Sequence, residues 1–313
     1  MVLFVGILIC YLIKSDTCAA LTFFPVWAWG LLGAALSAGS LLYKKRLCLT
    51  LILCWLLFIL TFSEEPRSLL RGLCISSSKW ESIPESERIT VISLNCAGGN
   101  MDAVRETLPY NPDIVLLQEV PPGKEGVESV VEAAFEGDVA IAYGPDTAIV
   151  VRGELEEVSI PKPKNIFMTQ ARVRLDSGHE IEVICIRLKP PVIDLNILSR
   201  KCWTNHTKDR KSRRKQIGQI VEQVKQISDK VPVVLGGDFN VSAEDGCLRE
   251  LSPFLSDTFS RGGVGWGHTA LNSVPLFRVD QIWASSDFKP ISVFAKKTEH
   301  SDHRMVVSYL KVE

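Results

Sequence analysis

The stretch VPVVLGGDFNV, residues 231–241, places two polar side chains at the end of an apolar run. The run is typical of a buried strand, and Asp238 and Asn240 follow it two residues apart. In an extended chain such residues face the same side. A carboxylate can orient or deprotonate a water molecule, and a carboxamide can donate hydrogen bonds to an anionic oxygen. The pair is therefore a candidate for acid–base chemistry.

The same arrangement of polar residues at strand ends recurs far along the chain. Further polar residues end or begin apolar runs at Asn95, Glu119, Asp280, Asp302 and His303. Each one alone is explained by turn chemistry, because Asp and Asn often end strands by bonding nearby amides. Their joint occurrence favours a shared pocket at one rim of the predicted sheets.

These residue types fit the hydrolysis of phosphate esters. Carboxylates and carboxamides without a thiol ligand suit a hard divalent cation, Mg²⁺ or Mn²⁺. One Asp can prepare a water for attack, and a His beside another Asp can offer a proton and a positive charge to a phosphoryl oxygen. The nine cysteines contain no CxxC and no Cys/His cluster with zinc spacing. Cys202 and Cys247 can pair only if the chain faces an oxidising compartment.

Five motifs together carry a family resemblance. They are SLNCAGGN, DIVLLQEV, LGGDFNV, FRVDQIWAS and HSDHRMVV. In combination and order, they resemble the endonuclease/exonuclease/phosphatase superfamily, which includes pancreatic deoxyribonuclease, apurinic endonucleases and neutral sphingomyelinases. The resemblance covers residues 88–313. It implies a four-layer α/β sandwich of two packed mixed sheets with helices outside.

The resemblance also implies a role for each motif residue. Glu119 matches the principal metal ligand, with Asn95 and Asp302 beside the metal. Asp238 matches the residue that activates water, and Asn240 matches the one that binds the scissile phosphate. His303 matches the histidine that contacts the phosphate, and Asp280 matches the aspartate that pairs with it.

Two further residues are weaker candidates for phosphate binding. Arg187, in CIRLKPP, stands where many relatives carry a histidine. An arginine cannot donate its proton at ordinary pH but can clamp a phosphate, and a solvent-facing strand end explains it equally well. His268 lies on a glycine-rich loop, GWGHTALN. The basic stretch at 208–215 fits a solvated helix start better than a site for nucleic acid or anionic lipid.

The order of predicted elements supports a layered α/β domain. Alternating residues with a turn at 176–178 predict a hairpin, and residues 210–229 predict a helix with an apolar face. That face comprises Ile217, Ile220, Val221, Val224 and Ile227. Hairpins and strand–helix–strand units both occur, which favours two packed sheets with helices outside.

The first 62 residues predict a membrane anchor. Three apolar runs predict helices at about 1–14, 18–43 and 47–62. A secretory signal peptide fits less well, because no basic segment precedes the first run. The basic residues at 44–46 favour a cytoplasmic position for that turn, which places the catalytic domain outside the cytoplasm. Residues 63–87 read as a linker without periodicity, before the catalytic domain at 88–313.

We therefore expect a membrane-anchored, divalent-metal-dependent phosphoesterase. Its substrate is a phosphodiester, either a nucleic acid or a lipid headgroup, and its anchor lies in the bilayer. A phospholipid or sphingolipid phosphodiesterase or phosphatase is the alternative. A catalytically degenerate domain that only binds phosphorylated ligands is an alternative of another class. The net charge of −1 excludes a general nucleic-acid coat protein but leaves these enzymes open.

Overall fold

A computed structural model describes residues 1–39, 44–74, 78–135, 139–161, 166–227 and 230–313. The helices are α1 (Val2–Ile13), α2 (Ala19–Thr22), α3 (Val26–Ala38), α4 (Lys45–Phe62), α5 (Glu65–Cys74), α6 (Ser78–Glu81), α7 (Lys124–Phe135), α8 (Arg200–Ile227) and α9 (Thr258–Gly262). The strands are β1 (Arg88–Asn95), β2 (Ile114–Gln118), β3 (Val139–Gly144), β4 (Thr147–Ser159), β5 (Ile166–Leu175), β6 (Glu180–Leu188), β7 (Val233–Asp238), β8 (Ser256–Asp257), β9 (Asp280–Ala284), β10 (Phe288–Lys296) and β11 (Met305–Val312). Short 3₁₀ segments lie at Asp16–Cys18, Glu85–Glu87, Met101–Tyr110 and Gly246–Glu250.

The strands of the described part of the chain form one curled sheet. Its order is β10-β11-β1-β2-β4-β5-β6-β7-β9-β8, with β3 paired to β4. Strand β4 joins the two halves, because residues 147–151 pair with β2 and residues 153–159 pair with β5. Gly153 at the junction has φ 135°, and a Cβ there would lie 2.2 Å from the Arg174 carbonyl oxygen. The prediction of two separate sheets is therefore corrected to two halves of one sheet.

Alternation along the strands produces the layers. In β2, Ile114 and Leu116 face a core between the two halves of the sheet, while Val115 and Leu117 face the helix side. The inner core continues onto the second half through residues such as Val183 and Val234. The outer face of the first half packs against α7, and the outer face of the second half packs against α8.

Helix α8 confirms the predicted apolar face but begins earlier than expected. Ile217, Ile220, Val221 and Val224 are buried in the core beneath β6 and β7. The helix starts at Arg200, and the Ser199 hydroxyl accepts a hydrogen bond from the Lys201 amide at that end. Its first turns contain Cys202, a free thiol like Cys247, so these two cysteines are not paired here.

Strand directions bring the distant strand ends to one rim. β1 runs parallel to β2, and β6 runs parallel to β7, so their carboxyl ends lie at corresponding edges. β9 and β11 run antiparallel to β7 and β1, so their amino ends reach the same edges. Asp238 at the end of β7 is the register partner of Asp280 at the start of β9. The curl of the sheet then brings both halves of this rim together.

The N-terminal helices pack into a small bundle with an aromatic centre. Its buried residues are Ile7, Tyr11, Val26, Trp29, Trp55 and Phe58. Gly33 of α3 lies so close to the Trp55 ring that a Cβ would come within 2.0 Å of it. The outward faces remain apolar, with exposed leucines at positions such as Leu53 and Leu57.

The prediction of about three membrane-spanning helices is corrected. Among the described residues, only α4 is long and apolar enough to cross a membrane by itself. The segment Asp16–Thr22 together with α3 would count as a second span only if these parts, bent by 66°, act as one. α1 has 12 residues, and at about 1.5 Å per residue it is shorter than the hydrocarbon core. Residues 40–43, the end of the second predicted helix, lie outside the described residues.

The segment predicted as a linker contains helices and is docked on the catalytic domain. The carbonyl of Ser68 accepts a hydrogen bond from the Gly265 amide. Arg71 donates to the Ser260 and Arg261 carbonyls, at 3.1 and 2.7 Å. Arg278 pairs with Glu64 at 2.6 Å. Sequence periodicity alone does not reveal the docking of α5, because polar groups make the contacts between this segment and the catalytic domain. The proposed domain boundaries stay a prediction.

Candidate functional site

The turn after β7 builds a rigid carboxylate–carboxamide pair. Gly237 has φ 141°, and a Cβ there would lie 1.9 Å from the Ile186 carbonyl oxygen, so only glycine fits. Asn240 has φ 49°, which lets its backbone amide donate to Asp238 Oδ1 at 2.8 Å. The Asn240 side-chain amide donates to Asp238 Oδ2 at 2.8 Å and to the Leu188 carbonyl at 2.9 Å. The predicted pairing of these residues is therefore a direct hydrogen-bonded contact.

A buried histidine–aspartate pair lies beside them. His303 Nδ1 is 2.8 Å from Oδ2 of Asp280, which is fully buried at the start of β9. The Asp280 amide donates to Thr269 Oγ1, while its Oδ1 has no hydrogen-bond partner among the described residues. Burial by itself would lower the pKa of His303, but the charge and hydrogen bond of Asp280 outweigh it and raise this pKa to about 10. His303 is therefore an imidazolium at neutral pH.

Asp238 has an unusual protonation state. Its burial and the nearby charge of Asp280 raise the pKa of Asp238 to about 7, although His303 opposes this. Asp238, Asp280 and His303 each place one potential ligand atom within 4.8 Å of the others. Two carboxylates and a histidine so close together indicate a site built for proton handling or for a cation.

Glu119 lies at the end of β2 in a strained backbone conformation. Its φ is 54°, which is uncommon for a residue other than glycine. Its Oε1 accepts hydrogen bonds from Asn95 Nδ2 at 3.1 Å and Arg187 at 2.8 Å, and its Oε2 accepts one from the Gly98 amide at 2.7 Å. Burial favours the neutral acid, but the bond from Asn95 and the charge of Arg187 lower the pKa of Glu119. Glu119 is therefore ionised.

Asn95 connects the two halves of the site. Its Nδ2 also lies 3.3 Å from Asp238 Oδ2, so one amide bridges the carboxylates of Glu119 and Asp238. Its Oδ1 accepts a hydrogen bond from the Ala97 amide at 2.9 Å, which fixes the orientation of the side chain. The two carboxylates come from different halves of the sheet, so this bridge exists only in the folded chain.

Arg187 faces the site rather than open solvent. Its guanidinium donates to Glu119 at 2.8 Å and to Asp146 at 2.6 Å. Only 18% of its side-chain surface is exposed. The structure thus places a fixed positive charge where the sequence left open a solvent-facing arginine.

The other two predicted residues lie farther from this network. Asp302 is next to His303 in sequence, and its side chain is exposed. Its charge contributes to raising the pKa of His303. His268 is buried elsewhere, with Nε2 2.6 Å from Glu65 of α5. His268 therefore joins the segment after the bundle to the catalytic domain and makes no contact with the carboxylate network.

Three residues of the site were not singled out by the sequence. Asp146, in the turn between β3 and β4, holds Arg187. Ser301 Oγ donates to the Asn95 carbonyl at 2.7 Å and accepts from the His303 amide at 3.0 Å. Thr269 Oγ1 accepts from the Asp280 amide at 3.1 Å. Ser301 lies within the SDH motif, which was a sequence signal for it, whereas Asp146 in a turn and Thr269 in a loop carried none.

The donor set fits a hard divalent cation. The groups that converge are carboxylates and an amide, and the nearby thiols of Cys96 and Cys185 are buried in the cores. A carboxylate has about four lone-pair directions, and three bonds to Glu119 are accounted for, which leaves one for a ligand. The unpartnered Oδ1 of Asp280 is a further uncompensated oxygen.

Solved structures resemble this fold. An endonuclease/exonuclease/phosphatase family protein from Bacteroides thetaiotaomicron has TM-score 0.56 and 17% identity, covering 72% of this chain and 98% of its own. TDP2 of D. rerio, complexed with a single-strand DNA product, has TM-score 0.54 and 18% identity over 72% and 99% of the two chains. A mannosyl-6-phosphatase from B. thetaiotaomicron has TM-score 0.54 and 17% identity over 71% and 99%.

At these identities the similarity establishes the fold alone. No curated protein matches the sequence. The model of the Endonuclease/Exonuclease/phosphatase family, however, matches residues 92–303, which is most of the catalytic domain and more than half of the chain. The chain therefore belongs to the Endonuclease/Exonuclease/phosphatase family, whose members are hydrolases that act on phosphate esters.

Proposed function

We propose that this chain is a membrane-anchored phosphoesterase that depends on a divalent metal and attacks its substrate with an activated water. One observation carries this proposal: Asn95 bridges the carboxylates of Glu119 and Asp238 while the Asp280–His303 pair lies beside Asp238. All of these groups lie at one rim, where His303 can contact a phosphate and the carboxylates can hold a cation or a water.

The roles follow from the hydrogen bonds already present. Asp238, whose pKa is near 7, orients a water molecule and accepts its proton as the oxygen attacks phosphorus. Asn240 is held by the Leu188 carbonyl and Asp238, and it would bind the phosphate by exchanging its bond to Asp238 for one to a phosphoryl oxygen. His303 is oriented through Nδ1 and offers Nε2, with its positive charge, to a phosphoryl oxygen. Arg187 adds a second fixed positive charge.

Glu119 would hold the divalent cation, with Asn95 and Asp302 beside it. When bound, Mg²⁺ or Mn²⁺ would neutralise charge on the phosphoryl group. Glu119 suits this role because its pKa is lowered and the carboxylate is ionised. The cation and Arg187 compete for the same carboxylate, so binding of the metal is expected to weaken the Arg187–Glu119 contact.

The experiment uses the full chain in detergent and a soluble chromogenic ester, bis(p-nitrophenyl) phosphate. Hydrolysis should require Mg²⁺ or Mn²⁺ and cease with EDTA. Asp238→Asn and His303→Ala should each lower kcat by about 10²–10⁴-fold, as loss of a general acid or base does. Val158→Ser, an exposed site on the far part of β4, is the matched control and should keep wild-type rates. Wild-type rates in both site variants would refute the assignment.

A catalytically degenerate binding domain is the second candidate. In that case the wild-type chain would bind a phosphate ester with no turnover under any divalent metal. The complete hydrogen-bonded set argues against it, because burial and the charge of Asp280 raise the pKa of Asp238 to about 7, which suits a general base at neutral pH.

Membrane anchoring is supported by the bundle. Helix α4 carries an apolar outer surface, and its basic start at Lys45 lies at the opposite end from Ser63, where the chain meets the catalytic domain. The positive-inside tendency then places residues 44–46 in the cytoplasm and the catalytic domain on the other side. Protease treatment of sealed cells should digest the catalytic domain, and protection of this domain would overturn the orientation.

A further inference from the structure

An apolar pocket adjoins the catalytic residues and includes part of the membrane segment. Its volume is about 320 Å³, within the usual range for a small-molecule site. We call this space the apolar pocket. Its apolar wall includes Phe23, Pro190, Pro191, Ile193, Leu271 and Phe277. Asn240 and His303 line the same space. A ligand that fills this pocket therefore contacts both the catalytic groups and residues from the bundle side.

The cationic residues of the pocket are already paired with protein groups. Arg210 pairs with Asp245 at 2.7 Å and donates to the hydroxyl of Thr22. Arg213 donates to the Phe239 and Lys189 carbonyls, both at 3.1 Å. A polynucleotide needs several free cations along its backbone. This pocket instead offers apolar surface beside one phosphate-sized polar end.

Two loops line the pocket, residues 189–199 between β6 and α8 and residues 263–279 between α9 and β9, and both pack on the membrane bundle. Ile197 packs against the aromatic centre of the bundle. Trp266 lies 5.8 Å from Trp27, and Phe277 lies 5.3 Å from Phe23, measured between ring centroids. The mouth of the active site therefore opens on the side of the domain that carries the anchor.

Both loops expose large apolar side chains, two of which, Ile193 and Leu271, line the pocket itself. The exposed residues are Ile193, Leu195, Leu198, Leu271 and Val274. Leu198 is 94% exposed and Ile193 is 72% exposed, so one loop leaves two large apolar side chains almost wholly in water, where they gain no burial energy. Such side chains are stable when they enter the apolar part of a bilayer, which the bundle brings next to them.

We propose that the substrate is the phosphate ester of a membrane lipid, with its apolar part in this pocket and its phosphate at Asn240 and His303. The inference rests on the proposed phosphoesterase activity and specifies its substrate class. The lipid stays partly in the bilayer, and only its phosphate is drawn to the catalytic groups.

The test compares matched esters with and without acyl chains. The full chain is reconstituted in phosphatidylcholine vesicles with dioleoyl phosphatidic acid or dioleoyl phosphatidylglycerol. The soluble counterparts are glycerol phosphate and glycerophosphoglycerol, and a single-stranded oligonucleotide is the third arm. We expect kcat/KM for at least one lipid to exceed that of its soluble counterpart by about tenfold or more, because buried methylenes contribute to binding.

Variants separate the pocket from the catalytic groups. Ile193→Asp combined with Leu271→Asp should lower the ratio of lipid to soluble turnover by about tenfold. Val158→Asp introduces a charge at an exposed apolar site away from the pocket and should leave the ratio unchanged. An unchanged ratio in the double variant, no lipid preference, or preference for the oligonucleotide would overturn the inference while the phosphoesterase proposal stands. Absence of hydrolysis of every ester, including bis(p-nitrophenyl) phosphate, would refute that proposal itself.

Discussion

His303 Nδ1 lies 2.8 Å from Asp280 Oδ2, and this contact joins a residue two positions before β11 to the first residue of β9. The bond orients the imidazole, keeps it charged and leaves Nε2 as the group that faces the pocket. Asp280 therefore acts on a substrate through His303.

Replacing Asp280 by Asn should remove the charge that keeps His303 protonated. We expect Asp280→Asn to lower kcat by about 10²–10⁴-fold, with a smaller change in KM, because the imidazole loses its charge and its fixed orientation. Combined with His303→Ala it should add little further loss, since the two residues act as a unit. Steady-state kinetics on bis(p-nitrophenyl) phosphate checks both statements. Fully additive losses would show that the residues act independently.

Removing Arg187 should leave the carboxylates of Glu119 and Asp146 without the guanidinium that both contact. We expect Arg187→Met to destabilise the fold by about 1–3 kcal/mol in the absence of metal, less than for a fully buried pair because the site is partly exposed. Added Mg²⁺ should recover part of this loss by binding at Glu119. Thermal unfolding with and without the metal measures the effect, and Asp146→Asn is the matched partner in a double-mutant cycle. Equal losses with and without metal would argue against cation binding at Glu119.

His268 should matter for docking of α5 rather than for chemistry. We expect His268→Ala to destabilise the chain by about 1–2 kcal/mol, since it removes a buried partner of Glu65. Cleavage near residues 63–74 by a protease should become faster. Activity on the soluble ester should stay within about threefold of wild type. A loss as large as that of His303→Ala would place His268 in the site after all.

Stability should depend on pH through Glu244. Burial, with the charges of Glu65 and Glu64, raises the pKa of Glu244 to about 8, although Lys14 and Arg278 oppose this. A raised carboxyl pKa means that the folded state binds a proton more tightly than the unfolded state. This contribution is fully present at pH values below the ordinary carboxyl range and is lost as pH rises towards and through about 8.

Glu244→Gln should remove that loss because the amide stays neutral. At pH 9 the variant should be more stable than wild type by about 1–2 kcal/mol, less than the full pKa shift implies since the side chain is half-buried. Denaturant unfolding at pH 5, 7 and 9 measures the difference, and Glu222→Gln on the exposed side of α8 is the control. Parallel pH curves for wild type and Glu244→Gln would contradict the prediction.

Local patterns in the sequence were sufficient to find the site. Asp238, Asn240, Asp280 and His303 all stand where an apolar run meets a turn, and the structure brings them into one network. The apolar face of α8 was predictable for the same reason, since apolar residues at three- and four-residue spacing indicate which side of a helix is buried. Asn100 shows the limit of this reasoning. An Asn just before a segment with spaced apolar residues is typical of a helix N-cap, yet its side chain donates to the His300 carbonyl and the segment is 3₁₀.

The type of chemistry could be predicted from the chain alone, because catalytic residue types and strand ends are local properties. Which charges meet depends on the folded arrangement. Arg187 and Asp146 come together only when the curl at Gly153 brings the halves of the sheet together. The docking of α5 through Glu65 and His268, and the contact of Phe23 with Phe277, also join residues far apart in sequence. The spacing of apolar residues along the sequence does not predict such contacts, because they form between surfaces that only the folded chain brings together.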